Sequence, residues 1–275
     1  MRIIVILLSL AALLQSVPAA AQDLSAEYVA LLDRADSLIK TSDWEGAENC
    51  FMDAMRRHPA NPMNVLVMSN VGLMRHYSGR DSLALEILDQ AVAIAPAAVT
   101  VRSNRAKVLT ALGRLDKAVD DYTEILRLDS MLIEPRHLRC MINMSRGRFE
   151  YAEADGDFLV RHFPEATETA ESNAFVLMAA SKYREAISFL NHLIQKQPTA
   201  TNYGERAFCH LKLDNLNEAS ADINDAIRLD PANGDLLLYR AILNKKRYRP
   251  RDAADDAAQA IKLGVSPEKV RQFGL

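Results

Sequence analysis

Two residue patterns in this chain invite a chemical reading. His137 and Cys140 stand three positions apart, a spacing that brings two side chains to one face of a helix, and imidazole with thiolate is a ligand combination that zinc accepts. Two ligands do not make a site, so the pair is expected to be a packed cysteine beside a half-exposed histidine. The adjacent carboxylates Asp120-Asp121 and Asp255-Asp256 are residue types suited to acid–base work, but they are expected on solvated outer faces of helices. The sequence has no phosphate-binding Walker loop, no GxGxxG, no HExxH and no CxxC. No nucleophile is accompanied by an evident base. The expectation is a protein that is not an enzyme and that carries no cofactor and no metal.

Composition narrows the partners. The 275 residues carry a formal net charge of -3, which leaves no basic footprint for nucleic acid. With 49% hydrophobic and 25% charged residues, and ten each of Gly and Pro, the composition is that of an ordinary globular chain. Alanine and leucine are plentiful and β-branched runs are few, so an all-α fold is expected. Residues 1–21 differ from the rest: Arg2 precedes the apolar run from Ile3 to Leu14, and Ala19-Ala20-Ala21 stands just before Gln22. This is the pattern of a secretory signal peptide. The alternative, a membrane anchor, needs about 20 apolar residues, more than this run supplies. The expected localisation is therefore export, to the periplasm or the medium, after cleavage near Ala21.

The elements that must position any site are legible from one stretch, "GRLDKAVDDYTEILRLD" at 113–129. It reads as an amphipathic helix with Ala118, Tyr122, Ile125 and Leu126 on one face. Anchored on Ala118, the pattern recurs at Ala47, Ala84, Ala152, Ala186, Ala219 and Ala253, in steps of 37, 34, 34, 34, 33 and 34. A period near 34 signals stacked helical pairs. A small residue stands twelve positions before each anchor: Ala35, Gly72, Ala106, Cys140, Ala174, Ala207 and Ala241. Gly79, Gly113 and Gly147 occupy the turn five positions before it in the middle repeats, where a left-handed residue can end the first helix. Proline follows twelve positions after the anchor at Pro59, Pro96, Pro164, Pro198 and Pro231, and stops the second helix. Each unit is thus helix A, turn, helix B, with its leftover apolar face covered by the next unit.

These columns resemble the tetratricopeptide repeat. The resemblance is strongest in "ALGRLDKAVDDYTEILRLD" and "SKYREAISFLNHLIQKQP", and good in "SDWEGAENCFMDAMRRHP" and "LDNLNEASADINDAIRLDP". It implies an α-solenoid, a right-handed superhelix of about seven repeats spanning 22–264, with repeats near 28–61, 65–98, 99–132, 133–166, 167–199, 200–232 and 234–265. Residues 266–275 read as a capping helix: Ser266 suits an N-cap and Pro267 the first helical position, with Val270 and Phe273 available to cover the last repeat. Because each repeat touches only its neighbours, and a disulfide needs Cα atoms within about 7 Å, Cys50, Cys140 and Cys209 are expected to be free and mostly buried.

The resemblance also implies a concave groove lined by A helices that holds a protein or peptide partner. By register its positions are Asn70, Leu73, His76 and Tyr77; Ser103, Asn104, Lys107 and Thr110; His137, Met141 and Met144; Glu171, Phe175 and Met178; Phe208, Leu211 and Lys212; and Ile242, Lys245 and Lys246. Leu32 and Asp36 stand where chaperone-binding relatives place a carboxylate clamp, which argues against acidic C-terminal peptides as ligand. Met141, Met144, Phe175, Met178 and Phe208 form either an adaptable apolar binding strip, flanked by Lys212, Lys245 and Lys246, or packing between adjacent A helices. Gly156 occupies a column held elsewhere by large residues. It marks either a soft joint in the fourth repeat or a gap filled by Phe158 or Phe149. The expected function is a non-enzymatic interaction scaffold. The alternative is a cell-envelope accessory protein binding glycan or cell-wall material, for which exposed aromatic platforms are scarce.

Overall fold

A computed structural model describes residues 25–275; the signal-peptide reading of 1–21 lies outside the described residues. Among the described residues there are fifteen α-helices and no strand. Helices α1 (Ala26–Lys40), α2 (Trp44–Arg57), α3 (Asn64–Tyr77), α4 (Asp81–Ile94), α5 (Val99–Ala111) and α6 (Leu115–Leu128) lie in one compact unit. Helix α7 (Ile133–Ser145) contains the division at Ile142/Asn143. The second unit holds α8 (Phe149–His162), α9 (Thr167–Ala179), α10 (Tyr183–Lys196), α11 (Ala200–Lys212), α12 (Leu216–Leu229), α13 (Gly234–Lys246), α14 (Pro250–Lys262) and α15 (Pro267–Gln272). Within each unit the helices pair as A and B hairpins, α1 with α2, α3 with α4, α5 with α6, α9 with α10, α11 with α12 and α13 with α14.

The hairpins form because each helix has one apolar face and a defined stop. Ala47, Ala84, Ala118, Ala152, Ala186 and Ala219 are fully buried, and Ala253 is nearly so. The small column facing them is buried too. At Gly72 an added Cβ would come within 2.5 Å of Leu88 Cγ, so only glycine allows α3 and α4 to close. Ser25 caps α1 by accepting from the Tyr28 amide at 3.2 Å, Asp43 caps α2 at 2.9 Å and Thr199 caps α11 at 3.1 Å. At the far end Ser266 caps α15, Val270 is buried against the last hairpin, and Phe273 and Leu275 pack on the same core.

The turns are more uniform than their residues. All seven positions five before the anchor have positive φ: Ser42, Gly79, Gly113, Gly147, Ser181, Asp214 and Tyr248. Glycine in the middle repeats marked a backbone requirement that holds in every repeat, since the hairpin angle demands a left-handed residue whatever its side chain.

The acid pairs depart from the expectation of solvated faces. Asp120 and Asp255 are exposed, but Asp121 is 1% and Asp256 8% exposed. Asp121 accepts from Arg105 Nε at 2.8 Å and Nη2 at 2.7 Å, and from Arg102 Nη1 at 2.9 Å. Asp256 is held by Arg240 and by Asn244 at 2.9 Å, and Asp222 by Arg206 at 2.8 and 2.6 Å. Arg105, Arg206 and Arg240 each lie sixteen residues before their aspartate, on helix A of the same hairpin. The aspartate stands three residues after the anchor alanine, in the seam between the helices, where a charge persists only when paired in a two-pronged contact.

Gly156 is a close approach between two helices. Phe149 is exposed, and Asn173 of α9 lies over the glycine, donating to Gly156 O at 3.2 Å and to Thr169 O at 2.9 Å. A Cβ there would stand 3.0 Å from Asn173 Oδ1. Asn173 occupies the column that holds arginine in the neighbouring repeats.

Candidate functional site

In the first unit the A helices α3 and α5 and the start of α7 enclose a groove of about 410 Å³. Leu73 and Tyr77 come from α3, Val99, Thr100, Ser103, Asn104 and Lys107 from α5, and Leu132 to Pro135 from the entry to α7. Sequence register thus brought Leu73, Tyr77, Ser103, Asn104 and Lys107 to one place. Tyr77 is 45% exposed and its ring tilts against His76, whose Nδ1 lies 2.7 Å from Asp81 Oδ1. Lys107 pairs with Glu134 across the groove at 2.9 Å, both side chains well exposed.

Two residues assigned to this groove lie deeper. Asn70 is fully buried and Asn104 is 8% exposed, its amide donating to Ser69 Oγ at 2.8 Å. Asn104 thereby ties α5 to α3 at the groove floor. Helical register places residues on a face but does not distinguish the rim of that face from its floor. Leu132, Ile133, Glu134 and Pro135 were not foreseen, because they belong to the loop and first turn of a helix whose entry angle is set by packing. His137 and Met141 on α7 are half-buried in this unit, with Cys140 fully buried behind them.

The second unit holds a smaller cavity of about 90 Å³ between α9, α10 and α11, lined by Glu171, Ala174, Phe175, Met178, Leu190, Leu193, Thr201, Asn202 and Glu205. Met178 also packs on the core of this hairpin. Met144 is half-buried on the last turn of α7. Phe208 stands in an aromatic run, its centroid 6.1 Å from Tyr183 and 5.5 Å from Tyr239. The three flanking lysines are engaged within the chain. Lys212 lies over the rings of Phe208 and Phe273 at 5.1 and 5.7 Å. Lys245 donates to the carbonyls of Phe273 and Gly274 at 2.8 and 2.9 Å, and Lys246 pairs with Asp214.

Burial sets the titration of several groups here. It raises the Glu205 carboxyl, with Lys269 opposing and Asp235 reinforcing. It raises the Tyr239 phenol above its ordinary range. It pushes the Cys209 thiol up to about 12. Among the described residues no group of three or more His, Cys, Asp or Glu side chains is placed to hold a metal ion, and no helix is long and apolar enough to cross a membrane.

Paired antiparallel helices, packed hairpin on hairpin, with grooves on the A-helix side, define a helical-repeat protein. Residues 200–233 match the family model described as tetratricopeptide repeat, and both units carry the fold of tetratricopeptide-repeat proteins. A tetratricopeptide-repeat protein from Parabacteroides merdae superposes with a TM-score of 0.71 at 24% identity, over 90% of this chain and 97% of that one. YrrB, described as a tetratricopeptide-repeat protein with an unusual peptide-binding site, superposes with a TM-score of 0.55 at 16% identity, over 68% and 95%. Human sperm-associated antigen 1 is 34% identical over 79 residues, 29% of this chain and 8% of that protein. The chain spans less than a tenth of the length of this and the other first curated relatives that it matches.

Proposed function

We propose that this protein is a non-enzymatic scaffold that holds a partner protein or peptide against its A helices, and that it works in the periplasm or the medium after removal of residues 1–21. The observation that carries the binding reading is the groove of the first unit. Its size falls within the roughly 300–1,000 Å³ of ligand sites. Its lining combines apolar surface (Leu73, Tyr77, Val99, Leu132), hydrogen-bonding groups (Thr100, Ser103) and a charged rim (Lys107, Glu134), a mixture suited to an extended or helical segment. That YrrB has a peptide-binding site on the same fold supports this reading. Export rests on Arg2, the apolar run Ile3 to Leu14 and the small residues Ala19 to Ala21.

Binding is tested by selecting peptides from a randomised library on the full chain and measuring their affinity by fluorescence anisotropy. Ser103→Arg, which fills the groove from its wall, should weaken groove-bound peptides at least tenfold with an unchanged melting temperature. Unaltered affinity of every selected peptide would remove the groove from the reading. Export is tested by intact mass of the protein recovered from each cell fraction: an N-terminus at Gln22 outside the cytoplasm is expected, and a full-length chain confined to the cytoplasm would refute it.

A further inference from the structure

The residues after α14 do more than close the stack. In a repeat array each hairpin touches only its neighbours, and a terminal cap needs to cover only the final hairpin. Val265 serves that purpose: it is buried against Gly234 at the start of α13, where an added Cβ would come within 2.8 Å of Val265 Cγ2. Beyond it the segment lies over the A-helix side and reaches two repeats. Lys269 Nζ donates to Asp235 Oδ1 near the start of α13 at 2.9 Å. At the far end of α13, Lys245 Nζ donates to the carbonyls of Phe273 and Gly274 at 2.8 and 2.9 Å. On α11, the preceding A helix, the Lys269 charge acts on Glu205, and the Lys212 ammonium lies 5.7 Å from the centre of the Phe273 ring. Helix α15 therefore runs along α13 in the same direction, beside α11.

This slot is polarised to suit a helix. Asp235 and Glu205 form its acidic end, at the amino-terminal part of α15, and Lys245 and Lys212 its basic end, at the final carbonyls. A helix carries partial positive charge at its N-terminus and partial negative charge at its C-terminus. Between the ends Val270 is buried, and Phe273 and Leu275 pack on the core that contains Leu237, Leu238 and Ile242. The hold is light. Glu268, Arg271 and Gln272 face water, the Lys269–Asp235 pair is well exposed, and exposed pairs contribute little. Helix α15 has six residues, too few to persist without the slot.

We propose that residues 267–275 are an internal occupant of a helix-binding slot on α11 and α13, and that a partner binds there by displacing them. The segment states the partner's chemistry: an amphipathic helix with a basic residue, an apolar residue beside it and an aromatic one turn later, the pattern of Lys269, Val270 and Phe273. This rests on the reading of a partner held against the A helices, and adds a second surface with a device that keeps it closed.

The test uses the full chain and a fluorescein-labelled peptide of residues 266–275. Two changes free the segment without touching the slot. Lys269→Glu turns attraction to Asp235 and Glu205 into repulsion, and Gly274→Ala puts a Cβ 2.6 Å from Lys245 Nζ on a left-handed backbone. The double variant loses the tethered competitor, so by fluorescence anisotropy it should bind the peptide about tenfold more tightly than the unaltered chain. Phe273→Ser or Lys269→Glu made in the peptide should weaken that binding about as much. On the unaltered chain, amide hydrogen exchange should be faster over 267–275 than over α13 and α14, because the segment opens while the hairpin stays closed. Exchange of all three at one rate, or loss of protection in α13 and α14 when the segment is freed, would make it a structural cap and overturn the proposal. So would equal peptide binding by both chains, or none by the double variant. Peptides that still bind in the groove of the first unit would then leave the scaffold standing; if neither surface binds a peptide, both readings fall.

Discussion

Asp121 shows what a single side chain contributes to this architecture. It lies between two helices and takes contacts from Arg102 and Arg105, whose side chains are 15% and 20% exposed. Removing one member of a buried pair strands the other, at a typical cost of 3–5 kcal/mol. The arginines retain some access to water, so Asp121→Ala should lower unfolding free energy by about 3 kcal/mol in urea denaturation. Asp225→Ala, which breaks the exposed pair with Arg228, should change it by under about 0.5 kcal/mol. Tyr248 makes the opposite case. Its backbone is left-handed, φ 59°, and its side chain is 94% exposed. The left-handed conformation costs a non-glycine residue about 1–2 kcal/mol, partly offset by the greater freedom of glycine in the unfolded chain. Tyr248→Gly should therefore raise the urea midpoint, by about 0.5–1 kcal/mol in stability, because no packing is lost.

At the scale of elements, the contact of α8 with α9 is decided by Gly156 and Asn173. Alanine at 156 gains about 1 kcal/mol of helix propensity. It also crowds the Asn173 amide and disturbs a hydrogen bond worth about 1 kcal/mol, on top of overpacking at about 1–3 kcal/mol. The losses outweigh the gain, so Gly156→Ala should destabilise by about 1–3 kcal/mol. In an Asn173→Ala background the same change should become neutral or stabilising, a sign reversal that a double-mutant cycle reads directly. If Gly156→Ala is harmful in both backgrounds, the asparagine contact is not its reason for being there.

For the molecule as a whole, the buried acids set the response to base. The Cys209 thiol, fully buried, is held protonated to about 12, against an ordinary value of 9.0. From about pH 9 the unfolded chain loses this proton while the folded chain keeps it. Folded protein then binds more protons than unfolded, and stability falls as pH rises through that window. Tyr28, Tyr122 and Tyr239, each raised by burial, act in the same direction above pH 10. Melting temperature should fall as pH rises beyond about 9, and Cys209→Ala should make that fall shallower. An equal slope in the variant would show that this thiol does not titrate with unfolding. The three cysteines, free and buried as their repeat spacing implied, should react with thiol reagents only on unfolding.

Periodicity made the helices, their pairing and the small-residue seam legible, because a 34-residue repeat imposes the same packing problem seven times and the chain answers it with the same residue types. The structure brings Leu73 and Tyr77 of α3 together with Ser103 and Lys107 of α5 in one groove. Depth did not follow. Asn70 is fully buried and Asn104 nearly so at the groove floor, Asp121 and Asp256 sit in the seam while their neighbours Asp120 and Asp255 face water, and Glu205 borders a cavity. Adjacent residues on a helix differ by 100° of rotation, so whether a polar group is solvated or sealed depends on how close the next helix comes. That distance is a property of the packed structure, as the close approaches of Leu88 to Gly72 and of Asn173 to Gly156 show.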